Sequence, residues 1–539
     1  MELTLPLDLF HWVIAFLPIA IIMLLMIAFR WGAVQAGPMG WLVAAAIGLT
    51  IFRASWEIIA LESVKGTWTG VFILYIIWPA ILIYEVTREA NAFDPFRRAV
   101  ERIAPNQLLQ VLMFGWVFAS FLQSITGFGV PVAVAAPLLV GIGIRPLYAV
   151  IIPLICHAWA NTFGTLAVAW LALKAVTGMT GPLAATTALY AASFLWLLNF
   201  TAAITVCWIF GRGRGVREGL PAVIILSLIM GGLQLALSPW SDVLNAFTAS
   251  TIALAVALFV LGRTPWYNKP STIKTTIYVE ESRRVVETGE KKKGEKAEMS
   301  GLTSFAPYFA LIGVTFAVQL IPGLKSWAGA FKIGLPFPET ITGYGYVTGA
   351  LEAYHSFAVL THPGTFLVVA ALFGYFYFRL RGYIGKGGWG RILSNTTVKT
   401  LPASLAVIAL TAMSKVLGGI GATNVLAYGT AAATGVIYPM LAPFIGMLGA
   451  FMTGSNMASN ILFGNFQSIT AKLGGFKLSP ILGSQTSGAA AGNMIAPNNV
   501  LLGTTTAGIV GREGEVLKTT LLVCFFVVIL IGIATILTA

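Results

Sequence analysis

Apolar runs long enough to cross a membrane recur along the whole length of this chain, and that repetition limits its fold more than any other feature. A bilayer core about 30 Å thick is spanned by about 20 apolar residues in helical form. Roughly a dozen such runs follow one another here. Of the 539 residues 57% are hydrophobic and only 10% are charged, where a soluble domain carries about 25%, so no soluble core could hide the apolar surface. The expected fold is an all-α polytopic membrane protein with about 12–14 transmembrane helices, some of them broken or re-entrant. The 57 glycines and 25 prolines fit that class, because membrane helices tolerate breaks where neighbouring protein or water satisfies the freed backbone groups.

The net charge of +13 does not point to nucleic acid, since the basic residues sit in short loops between apolar runs, as membrane topology requires. Cys156, Cys207 and Cys524 all lie within apolar runs, without metal or disulfide spacing, and read as buried thiols. Leu9 to Phe29 is too long for a signal-peptide core and has no basic residue ahead of it, so it is expected to remain as the first membrane helix.

Four stretches, Arg88–Arg102, Arg212–Arg217, Arg263–Ser300 and Arg379–Lys399, hold 21 of the 33 basic residues. The positive-inside rule puts all four in the cytoplasm and the N-terminus outside. The organisation expected is a first transmembrane half over 1–262, a charged cytoplasmic linker over 263–302 and a second transmembrane half over 303–539. One consequence concerns Leu108 to Ile144. With Arg102 and Arg145 both inside, the chain between them must enter and return on one side, and GFGVP, Gly127–Pro131, lies at its centre. Glycine permits unusual backbone angles and proline removes a donor, so a re-entrant hairpin is expected there. Lys415, Lys472 and Lys477 are too sparse to fix the sidedness of the second half.

A second break-rich region, TGSNMASNILFGNFQ, runs from Thr453 to Gln467, and SQTSGAAAGNMIAPNN follows at Ser484–Asn499. Each half thus carries an uncharged break rich in glycine, asparagine and serine, the pattern of a midplane site built from discontinuous helices. Half-helix N-termini offer unpaired N–H groups and partial positive charge to a carboxylate. The same small residues also serve plain close packing and interhelical hydrogen bonding. No Asp or Glu occurs between Glu101 and Glu218 or between Glu352 and Glu513, so the usual acidic proton relay has no members in either region. His157 is the one histidine there, open to two readings: a ring satisfied by a helix carbonyl, or a protonatable coupling group. Asn161 follows it by one helical turn on the same face. Lys415 reads as a snorkelling boundary residue or as a substrate anchor.

The chain resembles the lactate permease family over nearly its full length. The resemblance is carried by FLQSITGFGVPVAVAAPLLVGIGIRPL (Phe121–Leu147), NTFGTLAV (Asn161–Val168), GSNMASNILFGNFQ (Gly454–Gln467), GNMIAPNN and AGIVGREGEVLKTTL. It implies a proton-coupled importer of L-lactate, D-lactate or glycolate, built on inverted repeats with re-entrant hairpins. Three positions depart from the family pattern: Gln123 where Glu is common, Asn456 where Asp is common, and Asn493 where Lys is common. His157 falls near a position often held by Asn. A retuned site follows, and the coupling ion is not simply inherited.

The candidate substrate site therefore comprises Gln123, Gly127, Gly129, His157, Asn161, Thr162, Ser455, Asn456, Ser459, Asn460, Asn465, Gln485 and Asn493, with His157 as the candidate proton carrier. Neither cofactor nor metal is expected, and the partners are a small organic anion, a coupling proton or sodium, and the lipid bilayer. Sodium coupling would use backbone carbonyls and Ser or Asn oxygens as hard ligands. A passive anion or solute channel is the competing class. An enzyme is disfavoured, because the crossings hold no HExxH, GxSxG, paired carboxylates or Cys/His cluster.

Overall fold

The computed structural model describes residues 5–29, 31–95, 97–98, 104–273, 275–278 and 299–539. Half of the expected charged linker, 279–298, lies outside them. Among the described residues ten helices are long and apolar enough to cross a membrane, or up to twelve if each of two bent helix pairs is one span. Counting is complicated by breaks: Gly181–Leu237 would be about 85 Å long as one rod, but it folds back at Gly211 and Arg212, where the backbone leaves helical angles. Trp196 Nε1 then donates to Ser227 Oγ across the two limbs at 3.1 Å.

The helix Trp56–Glu89 serves as a ruler, because its 34 residues reach about 50 Å. It packs along Gly388–Gly419, closely enough that Gly66 faces the Ala412 backbone. At its C-terminal end Glu85 is paired with Arg88 at 2.6 Å and with Lys399 at 2.5 Å, and Glu89 with Arg391 at 2.5 Å. Arg97 lies against Gly141. Nearby, the Arg145 amide donates to Ile277 O at 2.7 Å, the Ser271 amide to Gln107 Oε1 at 2.7 Å, and Asn106 to Glu218 at 2.9 Å. The described parts of the four basic stretches thus share one end of the molecule. At the other end, before Trp56, Arg53 O accepts from the Gly343 amide at 2.8 Å and Trp12 donates to Leu426 O at 3.1 Å. A small antiparallel ribbon, Lys332–Phe337 paired with Leu351–Ala358, belongs to that end.

Inside this frame the chain makes two similar constructions. The first hairpin descends through Gln107–Ile125, turns at Gly127–Gly129 and returns through Val130–Gly141. Twelve residues give about 18 Å, short of a crossing, and both ends of the hairpin lie at the basic end. A broken helix follows, Pro146–Ala160 and Gly164–Thr177, bent by 53°. The second hairpin consists of Tyr438–Thr453 and Asn456–Leu473, and the second broken helix of Leu478–Gly492 and Pro497–Thr506. Tyr438 donates to Gln467 at 2.5 Å, so this hairpin opens at its Tyr438 and Leu473 ends. Gly464 sits against Leu173, Val176 and Thr177, which places that opening at the end away from the basic loops. The two constructions are therefore inverted relative to one another. The sidedness of the second half, unreadable from three sparse lysines, is fixed by this packing relative to the first.

Candidate functional site

Both hairpin tips and both helix breaks meet midway between the two ends. They enclose a narrow cavity with about 30 Å³ of room for water centres, lined by Gln123, Phe128 and Gly129 of the first tip, Asn161 and Thr165 of the first break, Ser455 and Asn456 of the second tip, and Asn493 of the second break. That volume holds one or two waters.

The backbone at the first tip and first break is unusual. Gly127, Phe128 and Gly129 have φ of 60°, 50° and 80°, and Thr165, Leu166 and Ala167 have φ of 49°, 49° and 72°. Left-handed angles on a β-branched threonine are rare, and such strain concentrates at functional sites. The two left-handed triplets touch: a Cβ on Gly127 would meet Thr165 Oγ1. Helices then start at Val130 and at Asn456 with Phe128, Gly129, Ser455 and Asn456 on the cavity wall. Two helix N-termini therefore face one small space, and their partial positive charges add there. Ser455 caps the second of them, its Oγ accepting from the Ala458 amide at 3.3 Å.

Side-chain amides tie the four elements together. His157 Nδ1 faces Pro153 O at 2.6 Å and its Nε2 faces Asn493 Oδ1 at 3.1 Å. Asn493 donates to Gly454 O at 3.2 Å and accepts from Asn499 at 2.9 Å. Asn456 donates to Thr162 Oγ1 at 3.0 Å, which lies 3.1 Å from Thr486 Oγ1. Asn460 donates to Thr486 Oγ1 at 2.9 Å and to Ala169 O at 3.0 Å. At this site two buried side-chain polar atoms have no partner among the described residues: Nδ2 of Asn161, a residue of the cavity wall, and Oδ1 of Asn460 behind it. A buried donor left unpaired costs about 1–3 kcal/mol.

Six of the thirteen residues singled out in the sequence line the cavity: Gln123, Gly129, Asn161, Ser455, Asn456 and Asn493. The three positions expected to depart from the family pattern, Gln123, Asn456 and Asn493, are all among them. Gly127, His157, Thr162 and Asn460 stand directly behind the wall through the contacts above. Ser459 donates to Gly446 O at 2.8 Å, and Gln485 accepts from Gln467 at 2.9 Å and donates to Ser459 Oγ at 3.2 Å, so this pair joins the second hairpin to the second broken helix. Asn465 lies apart, on a separate cavity nearer the ribbon end. Sequence reasoning missed Thr165, Val168 and Ala169 on the wall. The backbone leaves right-handed helical angles at Thr165, Leu166 and Ala167, so helical spacing from Asn161 carries no signal for them. Among the described residues no group of His, Cys, Asp or Glu could hold a metal ion.

The chain is similar to the L-lactate permease of Bacillus subtilis (strain 168), 28% identical over 525 residues with 92% of this chain and 89% of the relative covered. It is also 28% identical over 504 residues to the glycolate permease GlcA of Escherichia coli (strain K12), covering 88% and 85%. The YdaH transporter of Alcanivorax borkumensis aligns over 87% of this chain and 86% of its own at 12% identity with a TM-score of 0.42, too distant to inform the site. The family model described as L-lactate permease matches residues 11–539, and the chain accordingly belongs to the L-lactate permease family of multi-pass membrane transporters and is not an enzyme.

Proposed function

We propose that the chain imports small monocarboxylates, lactate or a related 2-hydroxy acid such as glycolate, by alternating access around the central cavity, with the basic end facing the cytoplasm. One observation carries the reading: two helix N-termini and Asn161, whose Nδ2 is unpaired, line one small uncharged cavity. Fixed dipoles and one spare donor suit a carboxylate, and asparagine and serine oxygens suit its hydroxyl. The names of the relatives, L-lactate permease and glycolate permease, support the same substrate class. Because the inverted hairpins reach the cavity from opposite ends, moving either one opens the site to one side at a time.

The proton travels on His157 in this reading. Both of its ring nitrogens face oxygens, which only the doubly protonated ring satisfies in full. Turning the Asn493 amide around would set its oxygen against Gly454 O and its nitrogen against Asn499 Nδ2. Losing the proton therefore strains the link between the first broken helix and the second hairpin tip.

Sodium coupling has one specific observation in its favour, the unpaired Oδ1 of Asn460, whose Nδ2 donates to Thr486 Oγ1, since amide oxygens are hard ligands. The deciding experiment is uptake of labelled L-lactate into proteoliposomes under an inward proton gradient. Accumulation above equilibrium that an uncoupler abolishes, and that survives replacement of sodium by choline, is the expected result. Equilibration without accumulation would mean a channel.

A further inference from the structure

A second, larger cavity of about 370 Å³ lies beneath the Leu351–Ala358 strand, between Trp56–Glu89, Gly388–Gly419 and the second hairpin. It falls within the range of about 300–1,000 Å³ typical of small-molecule sites. Its wall carries Glu62, Lys65, Tyr346, Tyr354, Lys415 and Asn465. The charge on that wall does not cancel. Lys65 is buried and paired with buried Glu62 at 2.6 Å. Lys415 is half-buried, with its ammonium 5.6 Å from the centre of the Tyr354 ring and, among the described residues, no carboxylate within 4 Å. One ammonium thus remains without a counter-ion in a partly dehydrated recess, a cost that an incoming anion removes.

The cavity also has a fixed relation to the central site. Gly164–Thr177 contributes Ala169 to the central wall and Val176 to this one; the second hairpin contributes Met457 to the former and Asn465 to the latter. Seven and eight residues of helix separate the two cavities by about 10–12 Å. Both helices run from the midplane towards the end away from the basic loops.

We infer that this cavity is an access site for a small monocarboxylate, in which Lys415 takes the carboxylate on its way to or from the central cavity. The ligand class rests on the carboxylate-carrier reading; the unbalanced charge and the shared helices do not. A cationic recess at the mouth raises the local concentration of an anion before it meets a site that itself holds no formal charge.

Thr348 on the same wall reports on it without disturbing the lysines. In full-length Thr348→Cys protein the three native cysteines are buried, so the new thiol is the reactive one. With each rate taken relative to the same reagent's rate with a free small thiol, its modification by an anionic sulfonate-bearing thiosulfonate is expected to be about fivefold faster than by the trimethylammonium analogue, the factor that about 1 kcal/mol of local potential produces. Millimolar L-lactate or glycolate should slow the labelling, and neutral lactamide should not. Adding Lys415→Gln should remove both the reagent preference and the protection, and Lys415→Arg should keep them. Equal rates for the two reagents, no protection by L-lactate, glycolate, pyruvate or acetate, or protection that survives Lys415→Gln would each overturn the inference. Protection by one of these acids together with absent lactate uptake would leave the access site standing and refute only the substrate named above.

Discussion

Asn493 Oδ1 stands 3.1 Å from His157 Nε2, joining residues 336 positions apart across the two inverted constructions. The Asn493 side chain also holds Gly454 O at the second hairpin tip, so the histidine is linked through one amide to an element that must move during transport. In the proposed mechanism a proton on His157 and the position of that tip are coupled through this amide.

Replacing His157 with Gln tests this link. Glutamine keeps a polar side chain of similar reach but carries no proton between about pH 5 and 8, the range in which histidine changes charge. Uptake by the unsubstituted protein is expected to fall as external pH rises through that range, and uptake by His157→Gln to be slower and flat. A wild-type pH profile in the variant would remove the histidine from the coupling mechanism.

Asn161 provides a test of the substrate site itself. If its unpaired Nδ2 donates to the bound carboxylate, Asn161→Ala forfeits a hydrogen bond to a charged group, worth about 1.5–3 kcal/mol or roughly a 10- to 100-fold rise in Kd. Asn161→Asp, of the same shape but acceptor-only and anionic, should bind still more weakly. Equilibrium binding of labelled L-lactate to both variants reads this directly, and unchanged affinity in Asn161→Ala would place the substrate elsewhere.

The legible part of this fold was the part written in backbone chemistry. Gly127, Gly129 and Pro131 announce a turn because only particular residues permit one, and the basic loops at its two ends required the chain to come back. The Gly454–Asn456 break carried the same kind of signal. The left-handed run at Thr165, Leu166 and Ala167 was invisible, because those residues have no intrinsic preference for it and tertiary packing imposes it. Asn465 and Asn456 belong to one asparagine-rich stretch, yet nine residues of helix carry them to different cavities. Lys415 reads as a boundary lysine until the ribbon of residues 332–358 is folded over it.

Orientation in the membrane is open to a direct check. Gly385, in a loop of the basic end, and Gly329, towards the ribbon end, both have open space where a side chain would go, so cysteine fits at either. With the basic end in the cytoplasm, Gly329→Cys should react with an impermeant maleimide in intact cells, and Gly385→Cys only after permeabilisation. The reverse pattern would invert the proposed topology.

The close approach of the second hairpin to the second broken helix makes the final prediction. Gly446 faces the Gln485 carbonyl, Gly488 faces Pro443 O and Gly492 faces Met447 O, each so closely that a Cβ would collide with backbone. Gly488 and Gly492 are one helical turn apart, the spacing by which small residues let membrane helices pack backbone to backbone. Backbone cannot rotate away as a side chain does, so Gly488→Ala must push the Tyr438–Thr453 arm outward, with an overpacking cost of about 1–3 kcal/mol. That arm carries the Gly454 tip, so the displacement reaches the cavity as well as the packing. A lowered thermal midpoint together with lost uptake is expected for Gly488→Ala. Gly514→Ala, at a helical glycine with open space around it, should leave both unchanged. Normal stability and transport in Gly488→Ala would mean that the two elements are not held at this distance during the cycle.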